Sequence, residues 1–464
     1  MSLIKSISGI RGTIGGAVGD NLTPLDTVKF AAAYGTWIKA RNKDSKEITV
    51  VVGRDARISG TMISHLVTNT LIGLGIHVID LGLSTTPTVE VAVPLETAQG
   101  GIILTASHNP KEWNALKLLN ERGEFLNAAD GLEILDFAAK DAYTFAEIDQ
   151  LGTYKEDDSY IEKHIDEVLN LELVDIEAIK SGEFKVVLDA VNSTGGIFIP
   201  ALLERLGVTC VKLYCEPNGH FPHNPEPLKQ HLGDISALVV KEKADFGIVV
   251  DPDVDRLAIV NEDGSMFGEE YTLVACADYI LGALGGGHTV SNLSSSRALR
   301  DITEKHGGTY TASAVGEVNV VSAMKTTNSV IGGEGNGGII YPASHYGRDS
   351  LVGVALFLSH LAKTKKTCKE LRDSYPQYYM SKNKIQLTPT LDVDAILEKM
   401  AQKHKEEEVN TIDGVKVDFA QEWLHLRKSN TEPIIRIYTE SRTQAAADAL
   451  ALKAIDDIKN IAGL

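Results

Sequence analysis

Cysteine is scarce. The 464 residues hold four, Cys210, Cys215, Cys276 and Cys368, and no two of them stand in C-x-x-C spacing. That argues against a disulfide framework or a zinc site and predicts buried thiols in a reducing compartment. Long apolar runs are missing too. No uninterrupted run reaches the ~18 residues of a membrane span, and the opening Met-Ser-Leu-Ile-Lys-Ser-Ile-Ser-Gly has no signal-peptide apolar core. The expected location is cytoplasmic. Positive charge is in deficit, with 45 Lys+Arg against 63 Asp+Glu, and the net −18 disfavours nucleic acid and anionic membrane as bulk partners. An anionic ligand would have to be captured by local basic residues.

What is present fits a folded globular chain. Hydrophobic residues at 43% and charged residues at 23% rule out disorder and fibrous classes for the whole. At roughly 100–200 residues per domain, the length implies three or four domains. The 41 glycines follow no collagen-like period and point to many tight loops.

Short β-branched runs stop abruptly at polar or Gly-rich loops and alternate with helical stretches, which is the pattern of an α/β fold. Thr23-Pro24 reads as the N-cap and first position of a helix to about Arg41. Ile48–Val52 is a buried strand stopping at Gly53-Arg54-Asp55-Ala56-Arg57, and Gly101–Leu104 one stopping at Thr105-Ala106-Ser107-His108-Asn109-Pro110. The plan recurs at Phe184–Leu188, at Phe246–Val250 before Asp251-Pro252-Asp253-Val254-Asp255-Arg256, at His288–Val290, and at Ser329–Ile331 before Gly332-Gly333-Glu334-Gly335-Asn336-Gly337-Gly338. Three tandem α/β units with the boundaries 1–153, 154–256 and 257–370 are therefore expected, followed by a smaller α+β unit over 371–464. In open α/β sheets ligands sit beyond the strand ends, which makes these loops the place for chemistry.

Asp251, Asp253 and Asp255 alternate at a strand end, where extended geometry would point all three carboxylates one way, a hard-oxygen set suited to Mg²⁺. A solvated acidic turn is the plainer reading. An EF-hand fails because Arg256 stands where the Ca²⁺ loop requires Gly, and Leu257–Val260 continues as a strand. Gly333–Gly338 formally matches the dinucleotide fingerprint G-x-G-x-x-G, but Ile339-Ile340-Tyr341-Pro342 cannot open the helix that fingerprint needs. A loop with one Glu and one Asn suits sugar hydroxyls, unless it is only a Gly turn. Ser107 could sit in a merely capped turn, and Lys117 could be a surface lysine. Arg427, Ser429, Asn430, Thr431 and Arg436 supply the inventory of donors for holding a phosphate, unless they form only an ordinary polar turn. Arg11, Arg54 and Arg57 stand at glycine-flanked loops, each by itself readable as a surface arginine.

In this order, the loops resemble those of the α-D-phosphohexomutase superfamily over essentially the whole chain. The resemblance implies three similar α/β domains with mixed sheets and a smaller C-terminal α+β domain around a central cleft. It implies that Ser107 carries a phosphoryl group and that Lys117 transfers protons, with Arg11 and His108 beside them. Asp251-Pro252-Asp253-Val254-Asp255-Arg256 is similar to the metal loop D-G-D-G-D-R, both glycines replaced and every ligand kept. Mg²⁺ on Ser107, Asp251, Asp253 and Asp255 follows as an implication. Glu334 and Asn336 fall in the sugar loop, usually G-E-x-S-G-H, with Asn336 for Ser and Gly338 for His. Arg427-Lys428-Ser429-Asn430-Thr431-Glu432-Pro433 is similar to the phosphate loop R-x-S-G-T-E-P, and Arg256 and Arg436 join the substrate-binding set. The strings G-E-G-N-G-G and Ser107–Lys117 are most similar to archaeal-type phosphoglucosamine mutases. The resemblance then implies interconversion of glucosamine 6- and 1-phosphate through a bisphosphorylated sugar, with a hexose 1,6-bisphosphate as activator. A phosphoglucomutase/phosphomannomutase of broad sugar tolerance is the alternative within the family. A Ca²⁺-binding protein and an NAD-dependent dehydrogenase are those outside it. The expected partner is a phosphorylated hexose or hexosamine, without nucleic acid or membrane; homodimerisation is left open.

Overall fold

The computed structural model describes residues 2–6, 9–386, 391–428 and 434–463. The chain divides into two compact units, Met1–Thr272 with Gly337–Glu370, and Leu273–Asn336 with Leu371–Leu464. The third α/β segment is thus shared between them. No helix among the described residues is long and apolar enough to cross a membrane.

The first unit carries a seven-stranded mixed sheet, ordered Ile4–Ser6, Gly9–Thr13, Trp113–Leu119, Gly100–Leu104, Thr49–Arg54, His77–Leu83 and Tyr154–Glu156. Its central strands are buried on both faces, as their unbroken Val and Ile runs require. The expected helix spans Pro24–Arg41, and Thr23 and Asp26 form a reciprocal capping box at its start. From Thr49–Arg54 the chain moves to His77–Leu83 on one side, and from Gly100–Leu104 it moves to Trp113–Leu119 on the other. The two parallel strands at this reversal, Thr49–Arg54 and Gly100–Leu104, are hydrogen-bonded neighbours. Their exit loops therefore meet at a topological switch point. The Asp55 N–H, the first after one strand, donates to the carbonyl of Leu104, the last of the other, at 3.2 Å.

The same device recurs. A four-stranded sheet orders Leu257–Asn261, Phe246–Val250, Lys185–Asp189 and Thr209–Leu213, and its reversal lies between Lys185–Asp189 and Phe246–Val250. In the second unit, His288–Asn292 pairs in parallel with Thr309–Ser313 and with Ile331–Glu334, which places the reversal between His288–Asn292 and Ile331–Glu334. Each candidate loop of the first three segments leaves its sheet at one of these three points, except that Arg11, expected in a glycine-flanked loop, lies within the strand Gly9–Thr13, paired with Ala115. The rest of the second unit is an antiparallel sheet ordered Tyr379–Gln386, Ile434–Ser441, Trp423–Lys428, Val415–Asp418 and Glu408–Asn410. The helices Val393–Lys403 and Gln444–Ala462 close its core through Met400, Ala454 and Ile458.

Two expectations change. The third repeat strand starts at Ile331 and runs to Glu334, so that the turn of the glycine loop shrinks to Gly335-Asn336-Gly337 before Gly338–Ile340 resumes as strand. Its glycines satisfy the pairing as well as any β-branched residue, which the composition hid. Of the cysteines, Cys276 and Cys368 are buried, whereas Cys210 and Cys215 are half-buried.

Candidate active site

Ser107 lies at the first switch point with φ +47, a left-handed conformation that only its surroundings can hold. The chief of these is Arg57, which is buried and not, as its loop position implied, a surface group. Its Nε donates to Asp55 Oδ2 at 3.0 Å, and its two terminal nitrogens donate to the carbonyls of Ser107, Asn109, Pro110 and Trp113. Four carbonyls turned inward on one guanidinium fix the loop, and they leave Arg57 unable to take a phosphate. Thr105 completes the frame: its hydroxyl accepts from the Ser107 N–H at 3.0 Å and donates to Asp55 Oδ2 at 2.7 Å.

Ser107 Oγ donates to Asp251 Oδ2 at 2.8 Å, and His108 Nδ1 stands 3.4 Å from Ser107 Oγ. Burial above all, then the positive charge of Arg256, pushes His108 down to about 2 and keeps the imidazole neutral.

The three aspartates converge, but not as expected. Residues 251–256 form a turn rather than an extended strand end: the Val254 N–H donates to the Asp251 carbonyl at 3.1 Å, and Val254 has φ +63. The Asp255 and Arg256 N–H groups donate to Asp251 Oδ1, which curls the loop around that carboxylate. Ser193 and Thr194, in the exit loop of the neighbouring strand, donate to the Pro252 carbonyl at 2.6 and 3.0 Å. All three carboxylates are fully buried, and one oxygen from each lies within 4.8 Å of one from each of the others. Burial, followed by Asp255 and Asp253, pushes Asp251 well above the usual carboxylate range. Burial also opposes the charge of Asp255, but Arg348, Lys117 and Arg256 outweigh it and hold that carboxyl low.

Lys117, on Trp113–Leu119, reaches Asp253 Oδ2 at 2.6 Å and Asp255 Oδ2 at 3.2 Å. Burial works against its charge, yet the two carboxylates raise its proton affinity above that of a free lysine. Arg11 donates to Asn109 Oδ1 at 3.3 Å, and burial and then Arg256 lower its pKa. Arg256 is buried, with Glu226 3.6 Å from its NH1. The first unit therefore brings together Ser107, His108, Lys117, Arg11, Arg256 and the three aspartates.

The donor set fits a divalent cation. Asp253 Oδ1 and Asp255 Oδ1 are buried without any hydrogen-bond donor, an arrangement that is costly unless a cation meets them. A third oxygen, Asp251 Oδ2, faces the Ser107 hydroxyl.

The other expected residues belong to the second unit. Glu334 is buried at the third switch point; its Oε1 accepts from Asn292 Nδ2 at 2.8 Å and from the Gly316 N–H at 3.2 Å, and Oε2 lies 3.4 Å from Asn336 Nδ2. Arg427 and Arg436 are directly opposite on paired strands, and Lys384 is opposite Arg436 on the next. A row of three cations on one sheet face is unfavourable without an anion. Arg427 Nε has an ion-pair contact with Asp413 Oδ2 at 2.9 Å, and the Val315 N–H donates to that oxygen at 3.0 Å. Val315-Gly316 thus links the Arg427 strand to Glu334. Ser429, Asn430 and Thr431 lie outside the described residues.

Sequence reasoning missed Arg57 as the loop's frame, Arg348 on Asp255, and Asp413 and Lys384 beside the arginines. Arg57 carried a faint signal, since Asp55 two residues earlier offers it a local partner. Nothing in the sequence pointed to the others.

Four family models cover the chain in order: phosphoglucomutase/phosphomannomutase alpha/beta/alpha domain I over residues 3–144, domain II over 162–264, domain III over 268–379, and the C-terminal domain over 383–456. A phosphoglucomutase/phosphomannomutase of Thermococcus kodakarensis is 35% identical, the match covering 94% of this chain and 95% of the relative. A phosphoglucosamine/phosphogalactosamine mutase of Sulfurisphaera tokodaii is 32% identical over 99% of both chains. Among solved structures, a phosphoglucomutase/phosphomannomutase family protein of Burkholderia thailandensis shares the fold with a TM-score of 0.85 at 24% identity, over 99% of this chain and 98% of that one. With its four domains in order and its motif loops at the sheet reversals, the chain belongs to the phosphoglucomutase/phosphomannomutase family, the phosphohexomutases that isomerise sugar phosphates by phosphoryl transfer.

Proposed function

We propose that this chain is a phosphoglucosamine mutase, interconverting glucosamine 6-phosphate and glucosamine 1-phosphate through a phosphorylated Ser107. The observation that carries the chemistry is the 2.8 Å meeting of Ser107 Oγ with Asp251, beside two buried carboxylate oxygens that accept no hydrogen bond. A phosphoryl group on Ser107 passes to the free hydroxyl of the hexose phosphate: the P–Oγ bond breaks, a P–O bond to the sugar forms, and the hydroxyl proton goes to Lys117. The 1,6-bisphosphate turns over. Its other phosphoryl group returns to Oγ, and Lys117 gives the proton back to the released sugar oxygen. The ammonium of Lys117, held by Asp253 and Asp255, must first release a proton to solvent, to which its side chain remains partly exposed, before it can serve as the base. Asp251, Asp253 and Asp255, together with Ser107, would hold Mg²⁺, which would supply charge neutralisation at the transferring group. Arg11 and Arg256 add positive charge for the phosphates, while neutral His108 orients beside Oγ.

The amino sugar is supported by Glu334, whose buried carboxylate would favour an ammonium at the 2-position. Glucosamine, glucose and mannose phosphates, each assayed side by side with a trace of the matching bisphosphate, test this reading. Glu334→Gln is expected to lower kcat/KM for the glucosamine substrate several-fold more than for glucose. Equal losses would remove Glu334 as the source of preference. The second reading, a phosphoglucomutase/phosphomannomutase of broad specificity, is supported by the 35% identity to the relative of that name; wild-type turnover of glucose or mannose phosphate at or above that of glucosamine phosphate would favour it.

Arg427, with Arg436 and the side chains of Ser429, Asn430 and Thr431, holds the phosphate that is not being transferred. Because the bisphosphate presents either end, Arg427→Ala should raise KM roughly tenfold or more in both directions while Ser107 remains phosphorylated. A KM unchanged in both directions would move the phosphate site elsewhere.

A further inference from the structure

Each aspartate of the triad offers one oxygen and has the other tied down. Asp251 Oδ1 accepts two backbone N–H bonds. Asp253 Oδ2 accepts from Lys117 at 2.6 Å and Thr86 at 2.5 Å. Asp255 Oδ2 accepts from Lys117 at 3.2 Å and from the buried Arg348 at 2.8 Å. What faces inward is Asp251 Oδ2, Asp253 Oδ1 and Asp255 Oδ1, three carboxylates limited to one contact each. That limit matters for metal choice. Mg²⁺ takes six oxygens in a tight octahedron and accepts single-oxygen carboxylates, whereas Ca²⁺ takes six to eight and gains from two-oxygen ones.

Arg348 is the partner least expected from the chain, 93 residues from Asp255. It is held in place from both sides. On one side, Asp349 caps the helix Ser350–Thr364, with Oδ1 accepting from the Leu351 and Val352 N–H groups at 2.7 and 3.3 Å. Its Oδ2 lies 2.9 Å from His164 Nε2 and 3.2 Å from His345 Nε2, and His164 Nδ1 is 2.8 Å from Thr88 Oγ1. On the other side, the Ser350 N–H donates to the Val254 carbonyl of the metal loop at 3.2 Å. His164, His345 and Asp349 have the composition of a metal site. Hydrogen bonds occupy both oxygens of Asp349, however, so the cluster works as a brace that fixes the residue next to Arg348.

We propose that Arg348 is a specificity-determining residue of the cation site: as the closer of the two donors on Asp255 Oδ2, at 2.8 Å against 3.2 Å for Lys117, whose shorter contact is to Asp253, it keeps that carboxylate single-oxygen and biases the site towards Mg²⁺ and against Ca²⁺. The inference rests on the reading of the three aspartates as a cation site. It is tested by titrating the dephosphorylated full-length protein with Mg²⁺ and with Ca²⁺ by calorimetry, for wild type, Arg348→Met, Arg348→Lys and Asp253→Asn. The ratio of the two dissociation constants is the readout, because both ions carry the same charge and the loss of a nearby cation acts on both alike. Arg348→Met should shift that ratio towards Ca²⁺ by roughly tenfold, and Arg348→Lys, which keeps a donor for Oδ2, should restore much of it. A merely structural arginine would lower the unfolding temperature and leave the ratio unmoved, and that outcome overturns the proposal. Wild type that binds neither ion at a site sensitive to Asp253→Asn would instead sink the cation-site reading beneath it. A second tight cation per chain, lost in His345→Gln, would overturn the brace.

Discussion

Ser107→Ala should lower mutase turnover by roughly 10³-fold or more and leave the chain without a phosphoryl adduct. Three features single out this hydroxyl. It leaves a buried strand at a sheet reversal, it donates to Asp251 at 2.8 Å, and its backbone is held at φ +47 by the carbonyl network of Arg57. The substitution should cost little stability, because alanine at φ +47 is no more strained than serine. One hydrogen bond to a buried carboxylate is lost, on the order of 1 kcal/mol. Intact mass before and after incubation with a hexose 1,6-bisphosphate, together with turnover, makes the check. Wild-type turnover in the variant would sink the phosphoserine mechanism altogether.

Asp253→Asn should lower turnover by roughly 10²-fold, with weakened cation affinity and only a small shift in unfolding temperature. Asparagine keeps the volume of a fully buried side chain and can still accept from Thr86 Oγ1, so the fold has little reason to respond. The charge is what disappears. Asp253 Oδ1 is one of the triad's two buried oxygens without a hydrogen-bond donor, and Asp253 Oδ2 is the closest carboxylate oxygen to Lys117. Removing that charge weakens the cation site and loosens Lys117 together, which predicts a larger effect on kcat than on KM. Chelation supplies an independent comparison: exhaustive metal removal should silence the wild type, and added Mg²⁺ should restore it. Full activity without metal would exclude a catalytic cation.

Local signals explain what could be read from the chain alone. Thr23-Pro24 marks a helix start because the threonine hydroxyl and Asp26 satisfy backbone donors within four residues. Phe246–Val250 reads as a strand because Phe246 and the β-branched run Ile248–Val250, interrupted only by Gly247, suit a fully buried strand. The repeated strand-and-loop plan placed the three motif loops at strand ends, and three of those ends are sheet reversals. Where the local reading failed, the backbone had a choice. Alternation predicted that Asp251, Asp253 and Asp255 share a strand face; they converge instead by wrapping a turn around Asp251, whose carboxylate accepts the following N–H groups.

The residues alone determined the α/β repeat and the order of the loops, because strand runs, caps and motif spacing are short-range properties; the phosphoryl-transfer roles of Ser107 and Lys117 came from the family resemblance. Tertiary structure alone decided that Arg57 is an internal frame rather than a phosphate ligand, that Lys117 sits on two carboxylates, and that Arg348 closes one oxygen of Asp255. Those pairings join residues 50, 136 and 93 positions apart. A guanidinium or ammonium reads the same in sequence whether it ends in water or against a buried carboxylate. Only the folded sheets, which bring distant strand ends to one point, determine which of the two it meets.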